Sequence, residues 1–171
     1  MQAIHSVWLM PCAQDAASLA QIIRQIAAAC HTPVFEPHLT LVEDMPRSAD
    51  DIAARLSTAF AGQTALACPI TTVSGLPTYF RSLFAAFKLD EALQAAKTTA
   101  MQALDMPINE TFTPHISLGY GIPEDQKARH IHSMDGLLRQ QIIHFDAIVV
   151  AQSGKEIPID QWRAVRVHRL H

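Results

Sequence analysis

Hydrophobic positions in this chain recur with two spacings, one typical of helices and one typical of strands. In 14–31, Leu19, Ile22 and Ile26 lie three or four residues apart, so one side of a helix would be apolar. Ser48 and the three residues after it resemble a capping box that opens another helix. The spacing predicts four helices, at 14–31, from 48 toward 62, at 90–104 and from 123 toward 139.

Short apolar stretches bounded by proline, glycine or polar turns predict strands. They lie at 4–10, 38–42, 66–73, 82–88, 115–120, 142–152 and 162–170. The resulting order, β-α-β-α-β-β-α-β-α-β-β, is typical of α+β proteins with mainly antiparallel sheets flanked by helices. No low-complexity linker divides 1–171. We therefore expect a single domain, and the element order suggests that it is bilobal, with two related lobes around a central cleft.

Two short segments of the chain have nearly the same sequence. FEPHLTL occupies 35–41 and FTPHISL occupies 112–118, so both read Phe-x-Pro-His-apolar-hydroxyl-Leu. Side chains alternate between the faces of a strand, so His38 and Thr40 would point to one side. His115 and Ser117 would do the same, while the apolar residues between them face a core. If the two strands lie side by side, two imidazoles and two hydroxyls surround one spot.

That set of groups suits the hydrolysis of a phosphoester. One imidazole can take a proton from water and the other can give a proton to the leaving oxygen, because histidine titrates near neutral pH. The hydroxyls can donate hydrogen bonds to the non-bridging oxygens. This chemistry needs no metal and no cofactor. A single His-x-Thr is common and usually has no function, but two copies with shared flanks favour catalysis.

Composition narrows the class of protein. The formal net charge of −3 argues against a basic surface that tracks long nucleic acid, but it permits a small nucleotide or one nucleic-acid end. The three cysteines have no metal-type spacing, so reduced thiols in a cytoplasmic protein are expected. The first residues read as a strand and not as a signal peptide, and no apolar run is long enough for a membrane span.

The paired motif resembles the two-histidine phosphoesterase superfamily, and the flanks resemble its cyclic phosphodiesterase branch. SVWLMP, PVFEPHLTL, TYFRSLF, TPHISLGY and the late WRAVRV occur here in the order that this branch shows. The resemblance implies a bilobal α+β fold and metal-free hydrolysis of a cyclic phosphate to a phosphomonoester. The implied substrates are 2′,3′-cyclic nucleotides or ADP-ribose 1″,2″-cyclic phosphate.

The resemblance also implies roles for individual residues. His38 and His115 would be the acid/base pair, and Thr40 and Ser117 would hold the phosphate oxygens. Aromatic residues would line the nucleotide site, and the positions that match are Trp8 and Tyr120, with Tyr79 or Phe80 as further candidates.

Other residues near these motifs are harder to place. Strict alternation would put Tyr120 opposite to His115, unless Gly119 bends the strand. Arg81 could meet a phosphate, but a solvated side chain is the better expectation. Trp162 is expected to pack the last strand, and Glu110 to be a charge in the loop 105–114.

Two other functions fit the same residues. One is RNA-end processing, as in a 2′-5′ RNA ligase or an RNA cyclic phosphodiesterase, with RNA ends as partners. The other is a protein that binds a nucleotide without turnover. The sequence does not distinguish the acid histidine from the base, the 2′- from the 3′-phosphate product, or one oligomeric state from another, and it names no protein partner.

Overall fold

The computed structural model of the chain describes residues 2–108 and 111–171, so Glu110 lies outside the described residues. Within these ranges are seven strands, four α-helices and one 3-10 helix. No helix there has the length and apolarity needed to cross a membrane. The elements are β1 (His5–Pro11), α1 (Ala13–Cys30), β2 (Leu39–Met45), α2 (Ala49–Ala59), β3 (Leu66–Ser74), β4 (Leu83–Phe87), α3 (Glu91–Ala103), β5 (His115–Gly119), α4 (Glu124–Leu138), β6 (Ile142–Gln152), the 3-10 helix (Ile159–Gln161) and β7 (Arg163–Arg169).

The order of helices and strands is the one that the apolar spacing predicts. Ser48 caps α2 as expected, since its hydroxyl accepts a hydrogen bond from the Asp51 backbone N–H at 3.2 Å. Pro123 is the N-cap of α4, one position before the start of the helix. β2 continues to Met45, beyond the predicted end at residue 42, because its polar second half still pairs with β1.

The seven strands form one sheet in the order β1-β2-β5-β4-β3-β6-β7. Each pair of neighbours is antiparallel, which confirms the predicted class of fold. β1 also pairs with β6, so six strands close into a barrel and β7 extends the sheet from β6. The division into two lobes is not confirmed, because hydrogen-bonded strands run continuously around the ring.

The main hydrophobic core lies between the helices and one face of the sheet. Each helix buries an apolar stripe in it, as Leu19 does for α1 and Leu93 for α3. The apolar residues of the repeated segments also lie there, each with no exposed surface: Leu39, Leu41, Ile116 and Leu118. Burying each of these side chains contributes roughly 2 kcal/mol. The opposite face of β2 and β5 is thereby left for polar groups.

Candidate active site

The two repeated segments lie side by side, because β2 pairs with β5 and their central apolar residues are directly opposite each other. Continuing this antiparallel register by one residue in each direction would set Thr40 opposite His115 and His38 opposite Ser117. Opposite side chains in an antiparallel pair have Cβ atoms about 5 Å apart. Each histidine of one segment is therefore a neighbour of the hydroxyl of the other segment.

These four side chains line one cavity of about 270 Å³. His38 and Ser117 are buried at its base, with 7% of each exposed. Thr40 and His115 are half-buried. The structure thus brings together all four residues of the repeated motif around a single space.

The backbone holds both imidazoles in the same way. Nδ1 of His38 lies 2.7 Å from the carbonyl oxygen of Glu36, and Nδ1 of His115 lies 2.9 Å from that of Thr113. A carbonyl oxygen can only accept, so each Nδ1 carries a hydrogen and donates it. Nε2 of each ring is the nitrogen left for a ligand. It is a proton acceptor when the ring is neutral and a donor when the ring is charged.

The surroundings of both histidines favour the neutral state. Burial lowers the pKa of His38 to about 4, the Glu36 carbonyl opposes this, and the nearby His115 adds to it. Burial also lowers the pKa of His115, against the Thr113 carbonyl, and the positive charge of Arg81 lowers it further. Two neutral imidazoles can each accept a proton, and a bound anion is needed to favour a charged one.

Aromatic rings form the rest of the wall. The Trp8 indole is stacked on His38, with ring centroids 3.8 Å apart and planes 16° apart, and only 2% of Trp8 is exposed. The indole therefore packs mainly against the imidazole and leaves little surface for a ligand. Phe80 and Trp162 lie nearly parallel with centroids 6.0 Å apart, and Tyr120 meets Trp162 edge-on at 5.9 Å. All four rings border the cavity.

Tyr120 reaches the cavity because β5 ends at Gly119, so the alternation of the strand does not extend to it. Close packing accounts for the glycine at position 119, since a Cβ there would lie 2.5 Å from the side chain of Ile122. Tyr79 does not border the cavity. Its ring lies against Gly121 and behind Tyr120, and 48% of the side chain is exposed.

Comparison with known proteins identifies the family. Residues 1–155 match the model of a family described as cyclic phosphodiesterase-like protein. The chain belongs to the cyclic phosphodiesterase-like family. The resemblance predicted from the sequence motifs is thereby confirmed. A search of curated proteins by sequence found no match.

Solved structures share the fold of this cyclic phosphodiesterase-like protein. A crystal structure described as a phosphoesterase aligns over 99% of this chain and 99% of its own, with a TM-score of 0.62 at 13% identity. LigT from E. coli aligns over 99% and 97%, with a TM-score of 0.60 at 13% identity. LigT in complex with 3′-AMP aligns over 99% and 98%, with a TM-score of 0.57 at 16% identity. At these identities the likeness shows the fold alone.

Two further residues border the cavity, which the sequence did not predict. Trp162 does not serve only to pack the last strand, since it precedes β7 and borders the cavity. Arg81 is half-buried in the cavity wall and is not simply solvated. Its Nη2 donates to the Thr113 hydroxyl at 2.8 Å and lies 3.4 Å from Nδ1 of His115. Neither residue belongs to a periodic pattern, so only the three-dimensional path of the chain reveals its place.

A polar end of the cavity was also missed. Beyond Thr40, β2 continues to Glu43 and Asp44, and both line the cavity together with Ser6 of β1 and Lys155. Strand alternation would place the two adjacent acidic residues on opposite faces. The register of β1 against β2 is irregular here, and a β-bulge of this kind re-aims side chains.

Among the described residues, one cluster offers atoms that could ligate a metal. Cys12, Asp15 and His144 have ligand atoms within 4.8 Å of one another. Two of them are also hydrogen-bonded, since the His144 backbone N–H donates to the Asp15 carboxylate at 2.7 Å. None of the three residues lines the cavity that contains the repeated motif.

Proposed function

We propose that this protein hydrolyses a small cyclic phosphodiester to a phosphomonoester, with His38 and His115 as the acid/base pair. The observation that carries the proposal is the pairing of β2 with β5. It sets two imidazoles around one cavity, and each lies across the strands from a hydroxyl. Membership of the cyclic phosphodiesterase-like family supports a phosphoesterase reaction.

The reaction follows from these groups. Nε2 of one neutral imidazole accepts a proton from water while the water oxygen forms a bond to phosphorus. The bond from phosphorus to one ring oxygen breaks, and that oxygen takes a proton from Nε2 of the other imidazole. The Thr40 hydroxyl donates a hydrogen bond to a non-bridging oxygen, whose charge is greatest in the transition state. The Ser117 hydroxyl donates to the Phe80 carbonyl at 3.3 Å in the structure and turns from it to donate to the phosphate. The histidine that acted as base then releases its proton to solvent, and the one that acted as acid takes up a proton, which restores the starting state.

The negative charge of the substrate favours the protonated imidazole that the reaction needs as its acid. Burial disfavours protonation of both imidazoles, whereas a phosphate between them supplies a negative charge that favours it. Entry of the substrate therefore raises the pKa of the histidine that must donate. The residues of the cavity suffice for this proton transfer, and we expect hydrolysis to continue in the presence of a chelator.

A nucleotide is the substrate class that fits the walls. Phe80 and Trp162 are half-buried and present aromatic surface against which a base can stack. The buried Tyr120 packs edge-on against both rings. The cavity volume of about 270 Å³ suits a ligand of limited size. LigT, which shares the fold, has been crystallised with 3′-AMP. The first substrates to test are 2′,3′-cyclic nucleotides and ADP-ribose 1″,2″-cyclic phosphate.

The test is turnover with the product identified by phosphorus NMR. We expect the wild-type protein to convert a cyclic phosphate to a monoester with and without EDTA. His38→Ala and His115→Ala should each lower kcat by about 100- to 10,000-fold while the far-UV circular dichroism is retained. His132→Ala, a change of an exposed histidine on α4, is the matched control and should keep full activity. Full turnover by a folded His115→Ala protein would refute the mechanism.

A further inference from the structure

The cavity has two chemically different ends. One is the aromatic wall beside the histidines, and the other contains two carboxylates, those of Glu43 and Asp44, which we call the acidic end. Thr40 is opposite Trp8 in the β1–β2 pair, and Ser6 lies two residues further along β1. Two residues of a strand span about 7 Å, so the backbone of Ser6 lies roughly that far along β1 from the residue opposite Thr40.

The irregular register places both carboxylates at this end. Between Trp8 and His5, β1 advances by three residues while β2 advances by five, from Thr40 to Met45. The two extra residues of β2 interrupt its alternation. Glu43 and the residue after it can then both border the cavity, although they are adjacent in sequence.

Hydrogen bonds fix Asp44 in place. Its Oδ1 accepts from the Ser6 hydroxyl at 3.1 Å, and its Oδ2 accepts from the Lys155 backbone N–H at 3.1 Å. The Ser6 oxygen in turn accepts from the Ser153 hydroxyl at 2.9 Å, and both serines are buried. An ionised carboxylate can accept about four hydrogen bonds, so Asp44 retains capacity for a ligand. This part of the cavity is a preorganised acceptor.

The charge of this end is negative overall. Glu43 and Asp44 contribute two negative charges, and the Lys155 ammonium offsets one of them. Because like charges repel, a second phosphate placed beside these carboxylates would be disfavoured. A ribose hydroxyl or a base amino group could instead donate to the carboxylates.

We infer that the acidic end selects nucleoside cyclic phosphates with a free 5′-hydroxyl over substrates that carry a second phosphate. The inference rests on the proposed function and narrows its substrate class. With the base on the aromatic wall and the cyclic phosphate between the histidines, the other end of the ribose points toward Asp44. A 5′-phosphate, a preceding nucleotide of RNA or the diphosphate of an ADP-ribose would meet the acidic end.

Binding measurements test this selectivity without requiring turnover. Isothermal titration calorimetry would compare adenosine 3′-monophosphate with adenosine 3′,5′-bisphosphate, which differ by the 5′-phosphate alone. We expect the wild-type protein to bind the monophosphate more tightly. Glu43→Gln should reduce this preference by about tenfold, and Lys155→Ala should increase it, because the two changes alter the local charge in opposite directions.

Glu156→Gln is the matched control. Glu156 is exposed and adjacent to Lys155 but does not line the cavity. The Glu156→Gln protein should therefore keep the wild-type preference for the monophosphate. Tighter binding of the bisphosphate by the wild-type protein would overturn the inference. An equal effect of Glu43→Gln and Glu156→Gln would also overturn it.

The two proposals fail in different ways. If no cyclic phosphate is hydrolysed but the binding preferences are as expected, the proposed reaction is wrong and the selectivity stands as that of a nucleotide-binding site. If the monoester product forms but the preference is absent or reversed, the reaction stands and the selectivity is wrong. If neither nucleotide binds, the substrate class inferred for the acidic end is wrong.

Discussion

At the scale of single residues, the backbone controls the tautomer of both histidines. Each Nδ1 donates to the carbonyl two residues earlier in the chain, at Glu36 and at Thr113. The same local geometry therefore occurs at both sites, and it follows from the repeated x-Pro-His sequence. Because Nδ1 of both rings is engaged in this way, Nε2 is the nitrogen of each ring that can transfer a proton. Either histidine can therefore act as acid or base, and the surroundings decide which role each takes.

The buried His38 should make stability depend on pH. Its folded pKa of about 4 lies below the ordinary value of 6.5, so the unfolded chain binds more protons between these pH values. The free energy of unfolding then falls as pH decreases from 6.5 to 4, and this histidine accounts for about 3 kcal/mol of the loss. Urea denaturation of wild-type and His38→Gln proteins at several pH values measures the difference. Parallel curves for the two proteins would contradict this origin.

Arg81 should contribute to the low proton affinity of His115. Burial is the main cause of the lowered pKa of that imidazole and the positive charge of Arg81 adds to it, so Arg81→Gln should raise the pKa part of the way toward the ordinary histidine value. Arg81→Lys keeps the charge and should leave the pKa lowered. NMR titration of the His115 ring in the three proteins measures the effect. If glutamine and lysine have the same effect, the charge is not the cause.

The sequence predicts which side chains share a face of the sheet where strand alternation applies. His38, Thr40, His115 and Ser117 share a face because their spacing is two in each strand, and the structure places them around one cavity. Arg81 follows no such pattern, because it lies in the turn before β4 and reaches the site through its side-chain contact with Thr113.

At the scale of elements, strand irregularities decide which side chains reach the cavity. The bulged part of β2 brings Glu43 and Asp44 to the site, and the end of β5 releases Tyr120 from alternation. The sequence predicts the existence and order of these strands from their apolar residues. It does not predict the bulges, because a bulge depends on the register with the partner strand.

Two glycines should respond oppositely to the same substitution. A Cβ at Gly119 would lie 2.5 Å from the side chain of Ile122, so Gly119→Ala should reduce the free energy of unfolding by about 1–3 kcal/mol. Gly136 lies within α4 and has open space around it, so Gly136→Ala should increase stability by about 0.5–1 kcal/mol. Thermal and urea denaturation of both variants provide the measurement. A neutral Gly119→Ala protein would show that Ile122 moves aside.

At the scale of the whole molecule, closure of the sheet joins distant parts of the chain. β1 pairs with β6 over residues 6–11 and 145–151, so one of the two partners of the first strand comes from the second half of the chain. The apolar pattern predicts both strands but not this contact, since many antiparallel orders are compatible with the same elements. The lobes suggested by the element order do not appear as separate sheets.

The closed sheet should unfold as a unit. We expect tryptophan fluorescence, which reports on the cavity, and far-UV circular dichroism, which reports mainly on the helices, to show coincident urea transitions. Continuous hydrogen bonding around the ring is the reason, because neither half keeps all its strand partners without the other. Two separated transitions would instead support independently stable lobes.

The stacking of Trp8 on His38 gives the molecule an internal optical sensor. The chain has two tryptophans, and their ring centroids lie 3.8 Å and 6.3 Å from that of His38. A charged imidazole in contact with an excited indole quenches its emission, whereas a neutral one does so weakly. The intrinsic tryptophan fluorescence of the protein should therefore decrease when His38 takes up a proton. Its brightness can follow the protonation step in real time as an anion enters the cavity.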